Sequence, residues 1–194
     1  MARRRKSEFR PDARFRNPFK TLHLTQLQRL KLLKWGLYIL MLVLLLVIQD
    51  VIMCHISILG ATTDLVVCGI LLITVMEGSE VGCLFVLLAS LLYYFSGSAP
   101  YPYVVFMITV AGAAATLFRQ AYWHRNRVSI ILCAGVAQMF YEISVYGMGL
   151  FLALTRWDRL GVFLLTGLLS WLVMIPLYPL VNKIGLIGGT SWKE

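Results

Sequence analysis

Charged residues are scarce in this sequence, and their scarcity argues against a soluble protein. Asp, Glu, Lys and Arg make up 14% of the 194 residues, whereas 59% are hydrophobic, and the mean hydropathy is +0.78. Soluble domains carry about 25% charged residues. The composition therefore predicts an integral membrane protein.

Residues typical of disulfide, metal and catalytic sites are also sparse. The four cysteines lie in apolar runs without a CxxC pair, and the three histidines are scattered, so neither a disulfide framework nor a zinc site is indicated. No GxSxG elbow and no P-loop is present. We therefore predict a protein that is not an enzyme and uses no metal or cofactor. Nucleic-acid binding is also disfavoured, because the sequence contains no base-reading module.

The first 34 residues are basic. They hold eleven Lys or Arg residues and lack the apolar core of a signal peptide. We expect this segment, 1–34, to stay cytoplasmic with a disordered start. Residues 22–34 should form a helix that lies on the inner leaflet before the chain turns into the first span, with Arg29, Lys31 and Lys34 against anionic lipids. Two alternatives would explain the same positive charge: a signal that sets the orientation of the protein in the membrane, or recognition by a cytoplasmic partner.

Six apolar runs could be transmembrane helices. A span needs about 20 largely apolar residues, and the candidate runs cover 35–53, 61–76, 81–95, 101–118, 128–154 and 160–184. The loops between them are very short and leave no extramembrane domain. The sequence thus predicts an all-α protein with a six-helix membrane domain over 35–185 and a short cytoplasmic tail, 186–194.

Charge distribution favours six spans with both termini in the cytoplasm. This topology places sixteen Lys or Arg inside, including Arg119, Arg125 and Arg127, and two outside, in agreement with the positive-inside rule.

The second run is the weakest candidate for a transmembrane helix. Twelve helical residues between Asp64 and Glu77 cover about 18 Å of a core of about 30 Å. It could be re-entrant; we expect it to begin before Asp64, or the bilayer to thin there.

Ionisable residues at membrane depth are candidates for function. Glu142 lies deep in the fifth run, and Gln138, four residues earlier, shares its helix face. The pair could clamp two helices, or Glu142 could bind an ion or substrate. Asp64 precedes the second run and is predicted to cap that helix through its carboxylate. With Asp64 terminal and Glu142 deep, the sequence does not predict that the two acids meet.

Small residues mark expected sites of helix packing and turns. Gly78 and Gly82 form a GxxxG pattern at the start of the third run, and Gly112 lies in the fourth. Ser96 and Gly97 form a predicted turn. We expect apolar faces of the bundle to form a lipid-facing groove for the membrane helix of a single-span partner, while Glu142 and Gln138 fix the internal helix register.

The order of these features resembles the family of the rod shape-determining protein MreD over roughly residues 46–185. The segments that carry the resemblance follow a basic start and a first span. They are GATTDLVVCGILLITV, EGSEVG, YYFSGSAPYPY, FRQAYWHRNR and FYEI. The chain has Tyr93 and Tyr94 where the family commonly has an Asp before the Ser-Gly turn, and Thr63 where a Pro usually precedes the acid.

This resemblance implies a multi-pass subunit of the bacterial inner membrane that has no catalytic activity of its own. It would serve the cell-elongation machinery by scaffolding MreC, through the MreC membrane helix, and by supporting MreB filaments, RodA and a class B penicillin-binding protein. It also implies a bundle similar to the substrate-binding subunits of energy-coupling-factor transporters. That likeness gives the alternative function, a membrane subunit that binds a vitamin-like small molecule in a sealed pocket.

Overall fold

The computed structural model describes residues 26–122 and 126–187, and within these ranges the chain is all-helical. Its helices are α1 (Gln26–Val51), α2 (Leu65–Glu77), α3 (Ser79–Phe95), α4 (Tyr103–Tyr122), α5 (Arg127–Phe151) and α6 (Leu160–Gly185). Short 3-10 turns at Met53–His55 and Trp157–Arg159 precede α2 and α6. Each predicted apolar run corresponds to one of these helices.

Four of the described helices are long and apolar enough to cross a membrane. The segments are Gln28–Val51, Tyr103–Gln120, Arg127–Phe151 and Trp157–Gly185, whereas α2 and α3 are shorter. The structure is therefore compatible with a multi-pass membrane protein.

Helix α2 is the centre of the bundle. All 13 of its residues are buried, and it packs against each of the other five helices. Of the two alternatives expected for this helix, an earlier start or a thinner bilayer, the first is wrong. The helix begins at Leu65, after a tight turn in which Ile58 and Ala61 exchange backbone hydrogen bonds of 2.9 and 3.0 Å. A helix of this length spans about 20 Å. Because protein surrounds it on every side, its length does not have to match a bilayer.

Successive helices run in opposite directions, which gives the bundle two distinct ends. At the end where α1 starts, here called the basic end, Lys34 of α1 contacts Glu77 at the end of α2. At the opposite end, called the pocket end, Gln49 of α1 contacts Asp64 just before α2. The basic end carries six of the described Lys and Arg residues, and the pocket end carries two. The six are Arg29, Lys31, Lys34, Arg119, Arg127 and Lys183; the two are Arg156 and Arg159.

The described part of the predicted interfacial helix, residues 26–34, is not a separate element. Helix α1 continues unbroken from Gln26 to Val51, so the described part of that segment extends the first long helix. Residues 1–25 and the tail from 188 onward lie outside the described residues. Helix α6 likewise runs through Pro176 and Pro179 to Gly185.

Two of the six residues predicted to face the inner leaflet are buried instead. Lys34 is 6% exposed and pairs with Glu77, with Nζ 2.6 Å from Oε1, and the Tyr38 hydroxyl donates to the same carboxylate at 2.7 Å. Arg119 is 3% exposed and donates to the backbone carbonyl of Val75. Both cations reach the last turn of α2, where free carbonyl groups and the negative end of the helix attract them.

The structure describes three of the remaining four basic residues. Arg29, Lys31 and Arg127 are exposed at the basic end, as a contact with lipid headgroups would require. Arg125 lies outside the described residues.

Glycines bring α2, α3 and α4 into close contact. Gly78, with φ +96°, is the single residue between α2 and α3. A Cβ on Gly82 would lie 2.5 Å from the backbone oxygen of Thr74, and one on Gly112 would lie 2.8 Å from Cγ2 of Val86. The predicted small-residue positions are thus points of contact in the structure.

We predict that Gly82→Ala destabilises the protein by about 1–3 kcal/mol, because its methyl group would force α3 away from the α2 backbone. Gly147→Ala is the matched control. That glycine is also helical, and a Cβ there would meet nothing within 4 Å. Thermal unfolding of both variants in mild detergent should show a lower midpoint for Gly82→Ala alone. Equal midpoints would contradict the close α2–α3 contact.

We also predict that Lys34→Met lowers the free energy of unfolding by about 3–5 kcal/mol, because it leaves the buried Glu77 carboxylate without its cation. The double variant Lys34→Met/Glu77→Leu should recover much of this loss. Unfolding measurements on the two single variants and the double variant complete a double-mutant cycle. Additive losses would show that the two side chains are not energetically coupled.

Candidate functional site

A polar cavity of about 530 Å³ opens at the pocket end of the bundle. Its inner wall carries Asp64, Tyr93, Tyr141 and Glu142, and its rim carries polar and small residues of the connecting segments. The other lining residues are Gln49, Asp50, Met53, Gly60, Thr62, Thr63, Ser98, Pro100, Val145, Arg159, Val162, Phe163 and Thr166. Residues of α1, α3, α5 and α6 and of the segment before α2 therefore converge on one site.

Asp64 occupies the N-cap position of α2, but its side chain makes no capping hydrogen bond. The prediction that its carboxylate caps the helix is wrong. Gln49 takes that role from α1, because its Oε1 accepts from the backbone N–H of Val66 at 2.9 Å. The Asp64 backbone N–H donates to the Ser170 hydroxyl at 3.0 Å. The carboxylate itself faces the cavity, where Gln49 Nε2 donates to its Oδ1 at 3.4 Å.

Glu142 lies at the base of the cavity and is 3% exposed. Gln138 donates from Nε2 to Glu142 Oε1 at 3.1 Å, which is the contact expected from their four-residue spacing. Gln138 is fully buried, and its own Oε1 has no partner among the described residues. Gly167 allows α6 to approach closely, since a Cβ there would lie 3.4 Å from Cγ of Glu142. The acid is thus part of a helix interface as well as of the cavity wall.

The carboxyl groups of Asp64 and Glu142 lie next to each other in the wall of the cavity. Sequence reasoning missed this pair because it placed Asp64 at the membrane edge. Glu142 lies nine residues before the end of α5, about 13 Å along the helix, so the contact shows that α2 begins well below the end of the bundle.

Tyr93 is a further site residue that sequence reasoning did not select. Its side chain is 2% exposed, and its hydroxyl lies 3.4 Å from Gln49 Nε2. The neighbouring Tyr94 points outward and is 36% exposed. One feature of the sequence could have pointed to Tyr93: the two tyrosines stand where the MreD family commonly has an Asp.

The predicted turn after α3 leads directly into the rim of the cavity, which Ser98 and Pro100 line. Ser96 ends the helix and Gly97 follows with φ +81°. Ser98, the next residue, donates from its hydroxyl to Asp50 Oδ2 at 2.9 Å. This bond ties the turn to the end of α1.

A second feature is an apolar groove of about 510 Å³ between α1 and α3. Both helices pack on α2, and they approach each other where Phe85 contacts Trp35 and Tyr38, with ring centroids 5.6 and 6.1 Å apart. The remaining lining residues are Ile39, Leu42, Glu80, Val81, Leu84, Leu88, Ala89 and Leu92. Glu80, near the basic end, is the one ionisable residue in this lining.

Comparison with known proteins adds no identification. No family model, no curated protein and no solved structure matches the chain. The arrangement itself offers two concave surfaces: a cavity with two neighbouring carboxyl groups, and an apolar groove between α1 and α3.

We predict that Glu142→Ala destabilises the protein by about 1–3 kcal/mol, because it leaves the buried Gln138 amide without its described partner. Glu142→Gln should remain close to the parent, since an amide can both accept from Gln138 and donate to Asp64. Thermal unfolding of the two purified variants in detergent measures the difference. If both variants unfold at the midpoint of the parent, the carboxyl–amide contact has no structural role.

Proposed function

We propose that this chain is a non-catalytic subunit of the cell-elongation machinery in the bacterial inner membrane, and that it scaffolds MreC and the peptidoglycan synthase. The resemblance to the MreD family supports the proposal, and the groove between α1 and α3 is the observation that carries it. A scaffold subunit needs a surface that fits a partner within the lipid.

The groove has the chemistry that a transmembrane helix of a partner requires. Nine of its ten lining residues are hydrophobic, and several are well exposed, among them Ile39 (52%), Leu84 (64%) and Leu88 (56%). Within a bilayer such a surface contacts either lipid chains or another helix, and helix association there depends on close packing. We assign the groove to the single membrane helix of MreC.

Glu80 indicates which way the partner helix would run along the groove. It is exposed at the end of the groove next to the basic end. A basic residue at the cytoplasmic boundary of the partner helix would complement its charge, and such residues are frequent there. The partner helix would then lie with its cytoplasmic end beside the start of α3.

The proposed topology has six membrane-embedded helices and both termini in the cytoplasm. The excess of Lys and Arg at the basic end supports this orientation, because cytoplasmic segments are enriched in these residues. Exposed Arg29, Lys31 and Arg127 are then placed to contact anionic lipids. MreB on the same side, and RodA with its class B penicillin-binding protein in the membrane, would contact the chain directly or through MreC.

A second candidate function is a transporter subunit that binds a vitamin-like molecule, with a bundle similar to that of energy-coupling-factor subunits. The cavity of about 530 Å³ favours it, since small-molecule sites have volumes of about 300–1,000 Å³. Affinity purification in mild detergent separates the two candidates. Recovery of synthase and filament proteins supports scaffolding, whereas recovery of a pair of ATPases supports transport.

We predict that Leu88→Trp reduces co-purification of MreC at least about tenfold, because the indole fills the groove that the partner helix would occupy. Leu172→Trp, on α6, is the matched control, since Leu172 is a comparably exposed leucine (62% against 56%) and does not line the groove. Quantitative pull-down of tagged MreC from membranes that express each variant at equal levels gives the comparison. Equal recovery with both variants would contradict the assignment of the groove.

A further inference from the structure

We propose that a smaller apolar groove, between α4 and α5, binds one acyl chain of an anionic phospholipid whose headgroup lies at the basic end. This groove is separate from the one assigned to MreC, and the inference rests on the proposed function only for the placement of the bundle in a bilayer. Three observations support it: the shape of the groove, its depth in the bundle and the charge at its basic end.

The α4–α5 groove has a volume of about 290 Å³, and all nine of its lining residues are hydrophobic. Ala111, Ala115 and Ala137 are at most 7% exposed and form its floor. Phe118 and Phe140, each 51% exposed, rise beside them. Small buried side chains next to large exposed ones leave a recess that a narrow apolar chain can fill.

The two walls of this recess are held together by the protein itself. Helices α4 and α5 pack directly on each other, and the Cys133 thiol donates to the backbone carbonyl of Ala115 at 3.2 Å. The recess is therefore formed without a ligand. An acyl chain can enter it without the cost of rearranging the two helices.

The α4–α5 groove occupies one half of the bundle. On α4 it extends from Phe118 inward to Ala111, which lies eleven residues, or about 16 Å, from the end of that helix at Tyr122. On α5 it starts at Leu132, five residues or about 8 Å from the first residue of the helix. Half of a hydrocarbon core is about 15 Å thick. The groove thus covers the depth of one lipid chain in the leaflet at the basic end.

Its dimensions favour a lipid chain over the helix of another protein. Along α4 the groove extends over seven residues, about 10 Å. The groove assigned to MreC extends along α3 from Glu80 to Leu92, about 18 Å, and has a volume of about 510 Å³. A helix with its side chains is about 10–12 Å in diameter, so the shorter and smaller recess suits a single hydrocarbon chain better.

The basic end of the α4–α5 groove has the charge that an anionic headgroup requires. Arg127, the first residue of α5, is exposed and forms no ion pair within the described part of the chain. Helix α4 contains no Asp or Glu, and the acid of α5, Glu142, lies toward the pocket end. A phosphate group above the groove would therefore meet a cation without a competing carboxylate on either helix. One such cation strengthens binding to an anionic membrane surface about fivefold.

The test is native mass spectrometry of the full-length protein, purified in mild detergent and titrated with 1-palmitoyl-2-oleoyl phosphatidylglycerol. Phosphatidylcholine with the same two chains is the zwitterionic control. We expect one phosphatidylglycerol molecule to bind each chain with a dissociation constant about fivefold lower than that of phosphatidylcholine.

A groove-filling variant locates the acyl chain. Val136 lines the groove and is 59% exposed, and Val136→Trp should weaken binding of both lipids at least about tenfold, because the indole and the chain cannot share the recess. Val47→Trp, on α1, is the matched control, since Val47 is 56% exposed and lines neither apolar groove. Thermal unfolding checks that both variants are folded. If Val136→Trp is not, Ala114→Leu, at another exposed position in the groove, replaces it.

A charge variant locates the headgroup. Arg127→Gln should remove the preference for phosphatidylglycerol over phosphatidylcholine, a change of about fivefold. Arg156→Gln is the control, because this exposed residue lies at the pocket end. It should keep the preference of the parent.

Four results would overturn the proposal. Equal binding of the two lipids, or an unchanged preference in Arg127→Gln, would exclude the headgroup contact. Equal lipid binding by Val136→Trp and Val47→Trp would leave only a nonspecific lipid layer. A dimer that Val136→Trp dissociates, seen in the same spectra, would assign the groove to a second copy of the chain. All of these measurements use the chain without MreC, so they can fail while the scaffolding proposal holds, and the reverse also applies.

Discussion

Burial of α2 on every side is the constraint on which the rest of the structure depends. A helix without lipid or water around it must find protein partners for the free N–H and C=O groups at both of its ends. Gln49 provides an acceptor at the first turn, and Arg119 and Lys34 provide donors and charge at the last. Each of these side chains comes from another helix, so the central helix also sets the positions of its neighbours.

The two candidate surfaces follow from this arrangement. Because α2 is short, the longer helices extend past its beginning and enclose the space that becomes the polar cavity. Because α1 and α3 pack on α2 from different sides, the surface between them stays open and forms the apolar groove. One buried helix therefore separates an acidic site at the pocket end from a hydrophobic surface along the side.

Much of the fold could be predicted from hydrophobic runs and charge. Each of the six runs corresponds to a helix, although α2 was expected to start earlier, and the Gln138–Glu142 contact follows from helical spacing alone. The Asp64–Glu142 pair could not be predicted, since it depends on how deep α2 begins, and depth is set by tertiary packing. The same limit applies to Lys34 and Arg119. Their sequence positions resemble those of lipid-facing cations, yet both side chains turn inward to the last turn of α2.

The single glycine between α2 and α3 has a consequence for biosynthesis. Helix α2 is too short to cross the hydrocarbon core alone, and an acid lies at each of its ends, Asp64 and Glu77. Because Gly78 alone connects it to α3, α2 cannot take up its position independently of α3. In a bilayer the two helices would therefore enter together as one hairpin, and the long helices would close around the short one.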